Sequence, residues 1–189
     1  MNTRWLGVLG MVGGAALTAI EVRHLVMGRP LTGATIDNVD DFFYAVWGLG
    51  IACAMWALYQ LGATGKHRLL RAAPLVLMLG GIFMFVGSLL DVVGLMTPTT
   101  NIFAGIAWLF ILLGMLLVAI LALVARTWAG WRKFTPLLCI LAIPMLFVLA
   151  MAVGHWADPI VGFSWILLGF AVMTSQDATA VAQQAKAAV

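Results

Sequence analysis

The chain has 189 residues, of which 64% are hydrophobic and only 9% charged, with a mean hydropathy of +1.10. A water-soluble domain carries roughly a quarter charged residues, so this chain lacks the polar surface to cover a globule in water. The net charge of +3 raises the question of nucleic acid, which the placement of the bases answers in the negative below.

A transmembrane β-barrel would show short segments of alternating polarity. The sequence instead runs in long apolar stretches. Only helices satisfy every backbone group of such a stretch in lipid. The expected fold class is an all-α integral membrane protein: a six-helix transmembrane bundle with both termini cytoplasmic. A span needs about 20 apolar residues. The six are placed at Trp5–Met27, Phe42–Leu61, Ala73–Met96, Ile102–Ala125, Pro136–Val153 and Pro159–Thr174.

The first span, with Arg4 ahead of an apolar run to Ala19, has the outline of a signal peptide. Starting from Met1, it is expected to be kept as a true span. Asp41 is placed as a cap of the second helix, Thr100-Asn101 of the fourth, Thr135-Pro136 of the fifth and Asp158-Pro159 of the sixth. Pro144 falls inside the fifth span and is expected to kink it. Residues 1–175 form a single six-span domain, and 176–189 form a polar, Ala/Gln-rich cytoplasmic tail of frayed helix. Cys53 and Cys139 lie in apolar runs with neither disulfide nor metal spacing, and are expected to act as small hydrophobes.

Orientation follows from the bases. Arg4, Lys66, Arg68, Arg71, Arg126, Arg132, Lys133 and Lys186 fall on one side of a six-span arrangement, and only Arg23 and Arg29 on the other. Asp177 is the one acid on the basic side. Glu21, Asp37, Asp40, Asp41, Asp91 and Asp158 lie opposite, so the two faces carry +7 and −4. The positive-inside rule puts the basic face in the cytoplasm of a cell (plasma or inner) membrane, against anionic headgroups and not nucleic acid. Trp5, Trp128, Trp131 and Trp156 are expected as interfacial anchors.

No charged residue falls near the middle of a span, which weighs against an ion pump or a channel for polar solutes. The chemistry gathers at the acidic end. Gly10, Gly14, Thr18, Glu21 and His24 share one face of the first span, and Gly10-xxx-Gly14 is a helix-packing signal. Gly80, Gly87, Ser88, Asp91 and Gly94 align on the third span, and Asp158, Gly162, Trp165 and Gly169 on the sixth. Glu21, His24, Asp91, His155 and Asp158 therefore form a candidate outward-facing constellation beneath the Asp37/Asp40/Asp41 loop, bordered by Tyr44 and Trp47.

A His and carboxylate set of this kind can hold a divalent metal such as Zn²⁺. Bis-His haem ligation by His24 and His155 is a further option. The bland alternative is a structural network with Arg23 and Arg29. No cofactor is assigned. No phosphate-binding loop or nucleophile motif is present.

Six spans in under two hundred residues with both ends inside resemble the substrate-binding subunits of energy-coupling-factor vitamin importers. Ala15-xxx-Ala19 is similar to the small-residue motif with which those subunits meet their transporter partner. No vitamin-binding signature accompanies it. The sequence reading thus places first a non-catalytic accessory or assembly subunit of a larger membrane complex, whose partners are the bilayer and other subunits. A ligand-binding or transport protein with an acidic outer site stands second, and an intramembrane metal-dependent hydrolase third.

Overall fold

The computed structural model describes residues 2–27, 37–65, 67–96, 101–128, 130–153 and 159–187. Within them the chain is helical and no strand occurs. The helices are α1 (Thr3–Val26), α2 (Asn38–Leu61), α3 (Arg68–Arg71), α4 (Ala73–Val92), α5 (Ile102–Ala125), α6 (Thr135–Val153) and α7 (Ile160–Ala187). A 3-10 turn, Gly130–Phe134, leads into α6. Four of the helical segments, Thr3–Val26, Asn38–Leu61, Arg68–Val92 and Ile102–Ala125, are long and apolar enough to cross a membrane, and Ile160–Ser175 is a shorter apolar stretch.

Several boundaries move from those expected. α2 begins four residues before Phe42, because Asp37 and not Asp41 is its N-cap. The Asp37 side chain accepts from the backbone N–H of Val39 and Asp40, and Asp40 reaches back to close a capping box. α4 stops at Val92, and Gly94 follows at φ 73°, so the helix does not run on to Met96. α7 continues past Thr174 as one helix to Ala187. Asn101 caps α5 as expected, its carbonyl oxygen accepting from Ala104 N–H at 3.2 Å. The Thr135 hydroxyl instead donates to the Arg132 carbonyl at 2.8 Å, and Thr135 is itself the first residue of α6. Asp158 lies outside the described residues.

The long helices pack in a ring. α1 lies between α2 and α7, α4 between α2 and α5, and α6 joins α7 to α5. Small residues let the backbones approach. A Cβ on Gly13 would lie 2.7 Å from Gly50 Cα, and one on Gly114 would lie 2.7 Å from Leu77 Cα. Such close helix contact is how bundles cohere where lipid supplies no hydrophobic drive between helices. The pairings Gly7 with Met173 and Gly162 with Thr18 run in opposite directions along α1 and α7, so these helices are antiparallel. Trp47, Met55, Leu58, Leu77, Met115 and Leu168 fill the buried centre, while residues such as Leu109, Leu113, Val148 and Phe163 face outward.

One end of the bundle is basic. Arg71 donates to the Tyr59 carbonyl at 3.1 Å and covers the Tyr59 ring, and Arg132 donates to the Thr174 carbonyl at 3.3 Å. Arg71 thus completes exposed carbonyls at the C-terminal end of α2, and Arg132 ties the start of α6 to the middle of α7. Trp5 and Trp131 are exposed here, whereas Trp128 is buried and is packing, not an anchor. Cys139 is buried and Cys53 half-buried, both as free thiols.

Candidate functional site

The acidic end is where α1 and α4 finish and α2, α5 and α7 begin. Its polar groups divide into two clusters, one on each side of α2.

The first joins α1 to α2 and α7. The Arg23 guanidinium grips the Asp37 carboxylate at both oxygens, at 3.0 and 2.5 Å, and also donates to Asp40. His24 Nε2 meets the other Asp40 oxygen at 3.0 Å. Asp40 is buried, at 1% exposure, so its charge is held by a base and an imidazole together. Arg23 holds the Asp37 carboxyl well down, at about 2 against an ordinary 3.8, helped by the backbone N–H of Asp40. Glu21, also buried, accepts from Gly162 N–H at 3.3 Å and so ties α1 to the first turn of α7. A carboxylate at a helix start suits both the open N–H groups and the helix dipole. This cluster closes its own hydrogen bonds except at His24 Nδ1, which is buried without a partner. Its chemistry is that of a lock between helices.

The second cluster lies between α2, α4 and α5, around a cavity of about 100 Å³. Asp41 and Tyr44 reach it from α2, Met84, Ser88 and Asp91 from α4, and Ala104 and Trp108 from α5. Asp91 is 9% exposed and sits in the last turn of α4, where the helix dipole is already negative. Its Oδ2 accepts from Asn101 Nδ2 at 2.6 Å, and the same amide donates to the Gly87 carbonyl at 3.0 Å. Its Oδ1 is buried with no hydrogen-bond partner. Asp41 is buried too, and the two carboxylate charges oppose each other. Among the described residues no cation pairs with either.

An aromatic wall separates the clusters. Trp47 of α2 packs against Tyr44, Trp108 and Trp165, with ring centroids 6.2, 5.6 and 5.9 Å apart. The Trp47 indole N–H is buried and unpartnered.

Of the expected constellation, Glu21 and His24 lie in the first cluster and Asp91 in the second. His155 and Asp158 fall outside the described residues. Among those residues no three His, Cys, Asp or Glu side chains group as metal ligands. Arg23 closes on two of the acids, Asp37 and Asp40.

The sequence places Ser88 on the face of Asp91, Tyr44 at the border of the site and Asp41 above it, whereas the tie from Asn101 to Asp91 emerges only in the structure. The signal in the sequence is spacing. Asp41 and Tyr44, Ser88 and Asp91, and Asn101 and Ala104 are each three apart, so each pair shares one helix face.

Comparison with protein-family models, curated proteins and solved structures gives no match to this chain.

Proposed function

We propose that the chain is a six-span membrane protein with both termini in the cytoplasm, and that its acidic outer end binds a small ligand in the Asp41–Asp91 cavity. α6 and α7 supply the fifth and sixth spans. The observation that carries this reading is the Asp91 carboxylate, buried with one oxygen unpartnered beside a second buried acid and a cavity. An uncompensated charge in such a place is costly, and intramembrane ionisable groups that face cavities mark ligand or ion paths. The helix lock around Arg23 needs no ligand. The Asp91 cavity does. This favours the ligand-binding or transport class.

Native mass spectrometry of the full chain, released from mild detergent, tests the reading. The wild type is expected to retain a small adduct that Asp91→Asn loses. Bare protein in both cases, across the detergents that keep the chain folded, counts against it.

An accessory role in a larger complex is the second reading, favoured by one feature. Ala15 and Ala19 of α1 are exposed between Val12 and Val22, facing away from both α2 and α7. A smooth strip of that kind accepts a helix from another chain. Stoichiometric co-purification of a second membrane protein, lost on Ala15→Leu, is the result expected of it.

A further inference from the structure

We infer that the cavity between α2, α4 and α5 takes the protonated primary amine of a small organic cation. This rests on the ligand-binding reading above and names its ligand class.

Charge sets the sign. Asp41 and Asp91 put two carboxylates on one small space, and the C-terminal dipole of α4 adds to the negative potential there. Among the described residues the arginine at this end of α1, Arg23, is already engaged by Asp37 and Asp40. With no cation on Asp41 or Asp91 among the described residues, the ligand supplies the compensating charge.

Hydrogen bonding sets the kind of cation. Asp91 Oδ1 is a buried acceptor without a donor, and leaving such a group unsatisfied is unfavourable. A primary ammonium brings three N–H donors, enough for Asp91 Oδ1, the Asp41 carboxylate and a hydroxyl oxygen such as Ser88 Oγ. A quaternary ammonium brings none. Ca²⁺ asks for six to eight oxygens; with Asp91 Oδ2 held by Asn101, the lining offers five, from Asp91 Oδ1, the Asp41 carboxylate and the Tyr44 and Ser88 hydroxyls, and water would have to supply the rest. Zn²⁺ favours nitrogen and sulfur ligands, and the lining contains neither His nor Cys.

Shape and surface set the size. A dry cavity of about 150 Å³ accommodates benzene. At about 100 Å³, this one takes a head of roughly five or fewer non-hydrogen atoms. Trp108 and Tyr44 add aromatic rings to the lining, which attract a cation that meets their faces, and Met84 and Ala104 add apolar surface for an alkyl stem.

The test is titration calorimetry on the purified full chain at pH 7 and constant ionic strength. The probes are ethylammonium, tetramethylammonium, sodium and calcium chlorides. Ethylammonium is expected to bind saturably, and Asp91→Asn to weaken it roughly tenfold or more. Asp37→Asn, which removes a charge at the same end but outside the cavity, is expected to leave binding within about twofold. If Asp91→Asn does not fold, Asp41→Asn makes the same comparison, because Asp41 holds no helix cap. Equal or tighter binding of tetramethylammonium, sodium or calcium, lost on neutralising the acids, overturns the amine while leaving a ligand site in place. No saturable binding by any probe overturns the site and the amine together.

Discussion

The Asn101 amide donates to Asp91 Oδ2 at 2.6 Å while its carbonyl oxygen caps α5 by accepting from Ala104 N–H. One side chain thus starts a helix and positions a buried carboxylate at the end of the preceding one. Its second amide hydrogen goes to the Gly87 carbonyl, so both polar side-chain atoms of Asn101 are in use.

Asn101 substitutions should therefore rank by how many of these bonds they break. Asn101→Ala removes the cap, worth about 1 kcal/mol, and leaves buried acceptors unsatisfied, at about 1–3 kcal/mol. Asn101→Asp keeps the cap but sets a second carboxylate against Asp91, and is expected to be the worse of the two near neutral pH. Thermal unfolding in detergent measures both. A smaller loss for Asn101→Asp than for Asn101→Ala at pH 7 would refute the expected opposition between the two side chains.

Helix contact predicts a contrast between two glycines. A Cβ at Gly162 would lie 2.6 Å from the Thr18 backbone nitrogen, and backbone cannot swing aside. Gly162→Ala is expected to push α7 off α1 and to lower the thermal midpoint or abolish folding. Gly105→Ala meets nothing within 4 Å, so it should be neutral or stabilising by up to about 1 kcal/mol through helix propensity. Similar losses in both variants would refute the packing assignment.

Acid should release the Arg23–Asp37 contact in a defined window. The folded-state value of Asp37, about 2, is below its ordinary 3.8. Its contribution is thus complete above about pH 4 and fades as the pH falls toward 2. Asn at position 37 preserves the cap and removes the charge. The stability gap between wild type and Asp37→Asn should shrink between pH 4 and 2 and vanish below. The contact is exposed, so the gap will be small. A gap unchanged down to pH 2 would mean that Asp37 gains nothing from Arg23.

Topology can be read with reporter fusions. Fusions after Leu61 and after Arg132 are expected to report a cytoplasmic location, and one within residues 33–38 an external one. A C-terminal fusion that reports external would exclude an even number of spans.

What the sequence determined by itself was the class of structure and the position of its helices. Apolar runs longer than about 20 residues, in a chain with 9% charge, leave helices as the way to satisfy the backbone in lipid. The segregation of acids from bases was equally legible, because it depends only on which span follows which. Helix ends were less so. Asp37, Asp40 and Asp41 are all chemically able to cap; in the fold Asp37 does so, in a capping box with Asp40 that Arg23 and His24 of α1 also hold, while Asp41 lines the cavity.

Tertiary structure alone decided which acids meet. Helical spacing placed Glu21, His24 and Asp91 on inward faces at one end, but it contains no information on ring order. In the ring, α2 comes between α1 and α4. The pairing of Asp91 with Asn101, and its placement beside Asp41, therefore follow from how the glycine-lined helices stack. Periodicity along one helix reports a face. Which face it meets is a property of the whole bundle.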